Sequence, residues 1–187
     1  MKYIDEFRDK KLIDKLITDI RRYSGREYRF MEVCGGHTMT IHKYGIPSLL
    51  PDNINLLSGP GCPVCVTDKN FIDRAVAYSR MKDVIITSYG DLLRVPGSYS
   101  SLEKEKAEGK DVRTVYSLLE ALKTATEHPE RQVVFLGIGF ETTAPATAVG
   151  ILEARKQGLS NFQVLSAHKV MPPAMNAIVE EGVGLDG

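Results

Sequence analysis

Three cysteines carry most of the chemistry this sequence can do. Cys34 stands in Glu32-Val33-Cys34-Gly35-Gly36-His37-Thr38, and Cys62 and Cys65 stand in Gly59-Pro60-Gly61-Cys62-Pro63-Val64-Cys65. A C-x-x-C pair that brackets a tight turn leading into a helix has unpaired N–H groups close by, which stabilise a thiolate and favour redox exchange or metal binding. A structural zinc site needs four ligands, and only Cys34 and His37 remain to complete a Cys3His knot, so that alternative stays open. Around Cys34, two glycines let the backbone approach a ligand closely, and soft thiolate with imidazole suits iron or zinc. His37 also fits a helix-start residue bonded to its own turn. Gly139-Phe140-Glu141-Thr142-Thr143 offers one carboxylate and two hydroxyls at a helix start, where either threonine could cap the helix. His168 closes a strand in Ser166-Ala167-His168-Lys169, whereas His42 reads as a surface or core position.

These residues need elements to place them. Ile13, Leu16, Ile17 and Ile20 share one helical face, so residues 5–23 read as an amphipathic helix ending near Ser24-Gly25. Beyond it, short apolar runs alternate with helical stretches, which is the βαβ rhythm. Strands are expected at Tyr28–Val33, Ile54–Leu57, Val84–Thr87, Val112–Tyr116, Val133–Gly137 and Phe162–Ser166. Helices are expected at Asp68–Ser79, Ser117–Glu127, Ala144–Gln157 and after Pro173, with Ser98–Gly109 a polar surface excursion. The fold class is therefore α/β, with Rossmann-like parallel sheets flanked by helices. His128-Pro129-Glu130 suggests a boundary, dividing the chain into a helix at 1–27, a first α/β domain at 28–129 with the cysteine motifs, and an incomplete second α/β unit at 130–187. Two strands make a poor sheet, so this second unit either adds to the first sheet or belongs to a truncated chain.

In open parallel sheets, ligands bind beyond the carboxyl ends of the strands. Cys34, Cys62, Cys65, His37 and Glu141 all follow strands, so one cleft should gather them. Familiar nucleotide loops are not there: Gly137-Ile138-Gly139 lacks the third glycine of the dinucleotide fingerprint, and no Gly-Lys-Ser/Thr occurs.

Composition narrows the classes further. Lys+Arg and Asp+Glu are equal at 24 each, so no net basic field attracts nucleic acid. The charged N-terminus is unlike a signal peptide, and no apolar run approaches the roughly 18 residues of a membrane helix. A cytoplasmic protein is expected, and in that reducing compartment closely spaced thiols bind metal or do redox chemistry more often than they staple a fold.

The motifs at Glu32–Thr38, Gly59–Cys65 and Gly139–Thr143 together resemble those of the hydrogenase maturation factor HypD family, from about Tyr28 to Gly187. The resemblance implies a scaffold for the Fe(CN)2CO unit of nickel–iron hydrogenases, an accessory protein with redox chemistry more than a turnover enzyme. It implies two Rossmann-like domains and a further C-terminal region carrying a [4Fe-4S] cluster on its own cysteines. No cysteine follows Cys65 here, so that cluster is not expected on this chain. The implied roles are Cys34 as iron ligand, Cys62 and Cys65 as a redox pair exchanging electrons or a disulfide with the cluster, a HypC-like small partner and a HypE-like cyanide donor. Two other readings compete with this one: a thioredoxin-like oxidoreductase acting through Cys62 and Cys65 alone, and a zinc-knotted α/β binding module.

Overall fold

All six runs read as strands form strands, and every one pairs in parallel with its neighbour. The computed structural model describes residues 9–64 and 66–187. The chain divides into two compact units, residues 1–62 with 173–187, and residues 63–172.

In the first unit, helix α1 (Lys10–Tyr23) starts where the Asp9 carboxylate accepts from the N–H groups of Lys11 and Leu12, and it ends at Ser24. Residues 5–8 of the expected helix lie outside the described residues. Strands β1 (Tyr28–Glu32) and β2 (Ile54–Ser58) pair in parallel from Tyr28 opposite Ile54 to Glu32 opposite Ser58. Between them run α2 (Gly35–Lys43) and the single turn α3 (Ile46–Leu49). Chain segments far apart in sequence meet beside β1, where Asp186 N–H donates to the Arg29 carbonyl and Met31 N–H to the Gly187 carbonyl. The Asp186 carboxylate also accepts from Arg29 N–H and pairs with Arg26. None of this unit's described residues is buried.

The second unit holds the hydrophobic core. Its sheet runs in the order β4 (Val112–Thr114), β3 (Val84–Ser88), β5 (Gln132–Gly139), β6 (Phe162–His168). Strand β3 is buried throughout, and β5 from Val133 onward, as continuous apolar runs in a covered parallel sheet must be. Helix α4 (Lys69–Ser79), opened by an Asp68 cap, buries Phe71, Ile72, Ala75 and Val76. Helix α6 (Leu118–Glu127) packs Leu118, Ala121 and Leu122 with Phe135 and with Ala154 of α7 (Ala144–Lys156). Gly150 gives α7 its close approach, since a Cβ there would overlap the Leu118 side chain. Burial of aliphatic and aromatic side chains on this scale contributes about 1.5–3 kcal/mol each, an upper bound against an extended chain. The last helix, α8, spans Met171–Glu180.

Three expectations need correction. Residues 128–130 do not separate two domains: they connect α6 to β5, and β5 pairs with β3, so β5 and β6 extend the sheet begun by β3 and β4. The segment 98–109 is not a surface excursion but contains helix α5 (Leu102–Ala107), with Leu102 and Glu105 fully buried. Its polarity misleads because the Glu105 carboxylate accepts from Arg80 Nε and Nη2 at 2.8 and 2.6 Å and from Ser100 Oγ at 2.6 Å. Strand β4 stops at Thr114, two residues early, where Tyr116 N–H turns to the Glu120 carboxylate instead of the sheet.

Candidate metal centre

Strand β1 delivers its chain into a thiol. Cys34 is the residue that caps α2, with extended backbone and no side-chain cap hydrogen bond, so its sulfur is not spent on the helix. It is exposed. Two residues upstream, Glu32 closes β1, and its Oε1 accepts from Cys34 N–H at 2.5 Å. One turn into α2, His37 places Nδ1 3.4 Å from the same oxygen. A carboxylate, a thiol and an imidazole thus gather with their ligand atoms all within 4.8 Å of one another. The set is accessible, since the His37 side chain is 72% exposed and that of Glu32 is 26% exposed. Such a set combines a soft thiolate, a borderline imidazole and a hard carboxylate, which suits iron or zinc, and leaves coordination positions open for exogenous ligands.

The loop after β2 is fastened against this cluster. Gly59 N–H donates to the Glu32 carbonyl at 2.8 Å, and Gly61 N–H to the Gly59 carbonyl at 2.8 Å. A Cβ on Gly61 would lie 2.7 Å from Cys34 Cα and overlap the carbonyl group of Val33, so only glycine lets the two loops touch. Cys62, half-buried, follows directly. Cys65 lies outside the described residues. Sequence reasoning gave Glu32 no role. The available signal was its position two residues before Cys34 at a strand end, which puts both on one side of an extended chain.

Glu141, Thr142, Thr143 and His168 belong to the other unit. Glu141 is exposed and its Oε1 accepts from Met171 N–H at 2.7 Å, tying the start of α7 to the start of α8. Thr142 is exposed. Thr143 occupies the cap position of α7, yet its hydroxyl donates back to the Phe140 carbonyl at 2.9 Å, so neither threonine caps the helix through its side chain. His168 sits between Ser166 Oγ, 2.9 Å from Nδ1, and Thr147 Oγ1, 3.3 Å from Nε2. Burial pushes its imidazole below the ordinary value, favouring the neutral ring. His42 is exposed in the last turn of α2.

The sequence matches the HypD family model, described as Hydrogenase formation hypA family, over residues 11–187. The chain belongs to the HypD family. Among its relatives is hydrogenase maturation factor HypD2 of Bradyrhizobium diazoefficiens, 50% identical over 183 residues that cover 96% of this chain and 48% of the relative. Hydrogenase maturation factor HypD of Azotobacter vinelandii is 51% identical over 182 residues, covering 96% and 48% respectively. That of Escherichia coli is 42% identical over 188 residues, covering 97% and 50%. This HypD chain thus spans about half the length of the curated relatives it matches. Among the described residues, no helix is long and apolar enough to cross a membrane.

Proposed function

We propose that this HypD-family chain serves the maturation of nickel–iron hydrogenases in the cytoplasm, as part of a scaffold on which iron receives its cyanide and carbonyl ligands. Iron is the cargo, and Cys34 is its principal anchor. The observation that carries the reading is the meeting of Glu32, Cys34 and His37 within 4.8 Å at the end of β1. A thiolate pushes electron density onto iron and so favours the π-accepting cyanide and carbon monoxide, while a three-donor set leaves room for them. Cys62 and Cys65 act as a dithiol couple: oxidation to one disulfide releases two electrons and two protons. The Gly61 contact that sets the loop after β2 against Cys34 supports placing this couple in the same process. Glu141, Thr142 and Thr143, one carboxylate and two hydroxyls ahead of α7, are assigned to ligand handling. A HypC-like small protein shares the iron, and a HypE-like protein donates cyanide.

The test is anaerobic purification of the full-length protein with its HypC-like partner, followed by metal analysis and infrared spectroscopy. Iron with cyanide and carbonyl bands supports the proposal. Stoichiometric zinc, or a metal-free dithiol that exchanges disulfides on its own, refutes it.

A further inference from the structure

Although the chain as a whole is charge-balanced, its cations are not evenly spread. An open trough of about 1090 Å³ runs along β4 in the second unit, and six of its thirteen lining residues are cationic: Arg80, Lys82, Lys106, Lys110, Arg113 and Arg131. Among the described residues, Asp111 is the one acidic residue in the lining. Its carboxylate is shared: Oδ1 and Oδ2 accept from Arg113 Nε and Nη2 at 2.8 and 2.9 Å, and Oδ2 also accepts from Arg131 Nη1 at 2.6 Å. One carboxylate thus serves two guanidinium groups, whose side chains are only 35% and 25% exposed. The neighbouring His128 adds no anion, as its Nε2 lies 3.1 Å from Arg113 Nη1, whereas Glu127 acts on Arg113 and Glu108 on Arg80 from outside the lining. Arg80 is neutralised by Glu105. Lys82, Lys106 and Lys110 form no ion pair among the described residues, although Lys110 contributes to the field around Glu105. The trough therefore keeps a surplus of positive charge, carried chiefly by Lys82, Lys106 and Lys110.

We propose that this trough docks an extended, acidic protein segment. Three features favour a segment over a small phosphate compound. The volume lies just above the range of small-molecule sites, about 300–1,000 Å³. Among the described residues, no aromatic side chain lines it to stack a base. Moreover, among the described residues β4 pairs with β3 alone, so an extended segment can hydrogen-bond along its other edge, where Val112 N–H already turns to the Lys110 carbonyl, while the lysines meet its carboxylates.

Fluorescence anisotropy of the full chain with a fluorescein-labelled peptide of about ten residues, glutamate alternating with threonine, tests this. Alternation puts the carboxylates on one side of a strand. The expected result is binding at about 50 mM salt that weakens steadily as salt is added. The double variant Lys82→Glu/Lys110→Glu should lose about tenfold or more in affinity, and the exposed single variant Lys106→Glu severalfold. Lys123→Glu on α6, outside the trough, should bind as the wild type does. The inference is overturned if the peptide does not bind, if both trough variants bind it unchanged, or if salt has no effect. It is equally overturned if ATP or tripolyphosphate binds in a way that Lys82→Glu/Lys110→Glu abolishes while the peptide does not bind.

Discussion

Replacing Gly61 by alanine tests whether the contact between the two loops positions the thiol. The new Cβ would stand 2.7 Å from Cys34 Cα and nearer still to the Val33 carbonyl, about 0.7 Å or more inside ordinary contact. Its neighbours are backbone atoms, so no side-chain rotation relieves the overlap. Either the loop carrying Cys62 lifts away or the chain at Cys34 is displaced by a comparable distance. Overpacking of this kind costs about 1–3 kcal/mol. Displacement should also spoil the Glu32–Cys34–His37 cluster, because a ligand set tolerates only about 0.5 Å of error. The expected outcome is a lower midpoint in urea together with at least about a tenfold loss of affinity for Fe(II) or Co(II), the latter followed through its thiolate charge-transfer absorption. Gly25→Ala, away from the cluster, is the control, since a Cβ there meets nothing within 4 Å. Wild-type stability and wild-type metal affinity in Gly61→Ala would refute the reasoning, for the thiol would then be placed without this contact.

Other perturbations probe separate parts of the molecule. Glu32→Gln keeps an acceptor for Cys34 N–H but removes the charge, so stability should hold while Co(II) affinity falls about tenfold or more by titration. Glu105 is held down to about 2 by the Arg80 hydrogen bonds, against an ordinary 4.5, so its contribution is complete above about pH 5 and is lost as pH falls from 4.5 towards 2. Glu105→Gln should cost about 2 kcal/mol in urea unfolding at pH 7, less than a fully buried pair because Arg80 is 53% exposed, and the cost should shrink below pH 4. Ser88 Oγ is buried with no hydrogen-bond partner among the described residues, so Ser88→Ala should raise stability by about 1 kcal/mol, seen as a higher thermal midpoint. In the full-length protein prepared with the proposed HypC-like partner, Cys34→Ala should abolish iron-bound cyanide and carbonyl bands, whereas Cys62→Ala should retain iron but stall in ligand loading.

The strands and most helices were legible because β-branched runs and helical faces repeat with different periods, and the burial of β3 and β5 follows from such runs. Strand order was not legible, since parallel pairing is set by long-range contact. Nothing at His128-Pro129-Glu130 reveals that β5 returns to lie beside β3. Helix α5 was hidden by its charges: a buried Glu105 reads as surface until Arg80 and Ser100, 25 and 5 residues away in sequence, are seen to satisfy it. At the candidate site, Cys34 and His37 stood out by residue type, whereas Glu32 looked like an ordinary strand end. Its meaning depends on a rotamer that returns to the backbone of Cys34.

That rotamer links structure to the proposed work of the site. Glu32 Oε1 accepts from Cys34 N–H and faces His37 Nδ1, so one carboxylate orients both the residue bearing the thiol and the imidazole before any metal arrives. Preorganisation of this kind lowers the cost of binding without adding ligands. A scaffold that hands iron onward has to hold it while leaving coordination positions free and the ion reachable by a recipient. Three donors at an exposed strand end meet those demands better than a closed four-ligand knot, in which each exchange would first have to break a bond to the protein. The same accessibility leaves the thiol open to oxidation, because thiolate character and exposure are what govern that reaction. The geometry therefore predicts that air exposure inactivates metal binding through Cys34, and that a thiol-specific label reaches Cys34 rapidly in the apo protein but slowly once Co(II) is bound. Equal labelling rates with and without Co(II) would mean that the sulfur is not a ligand, and the cluster at the end of β1 would lose its central member.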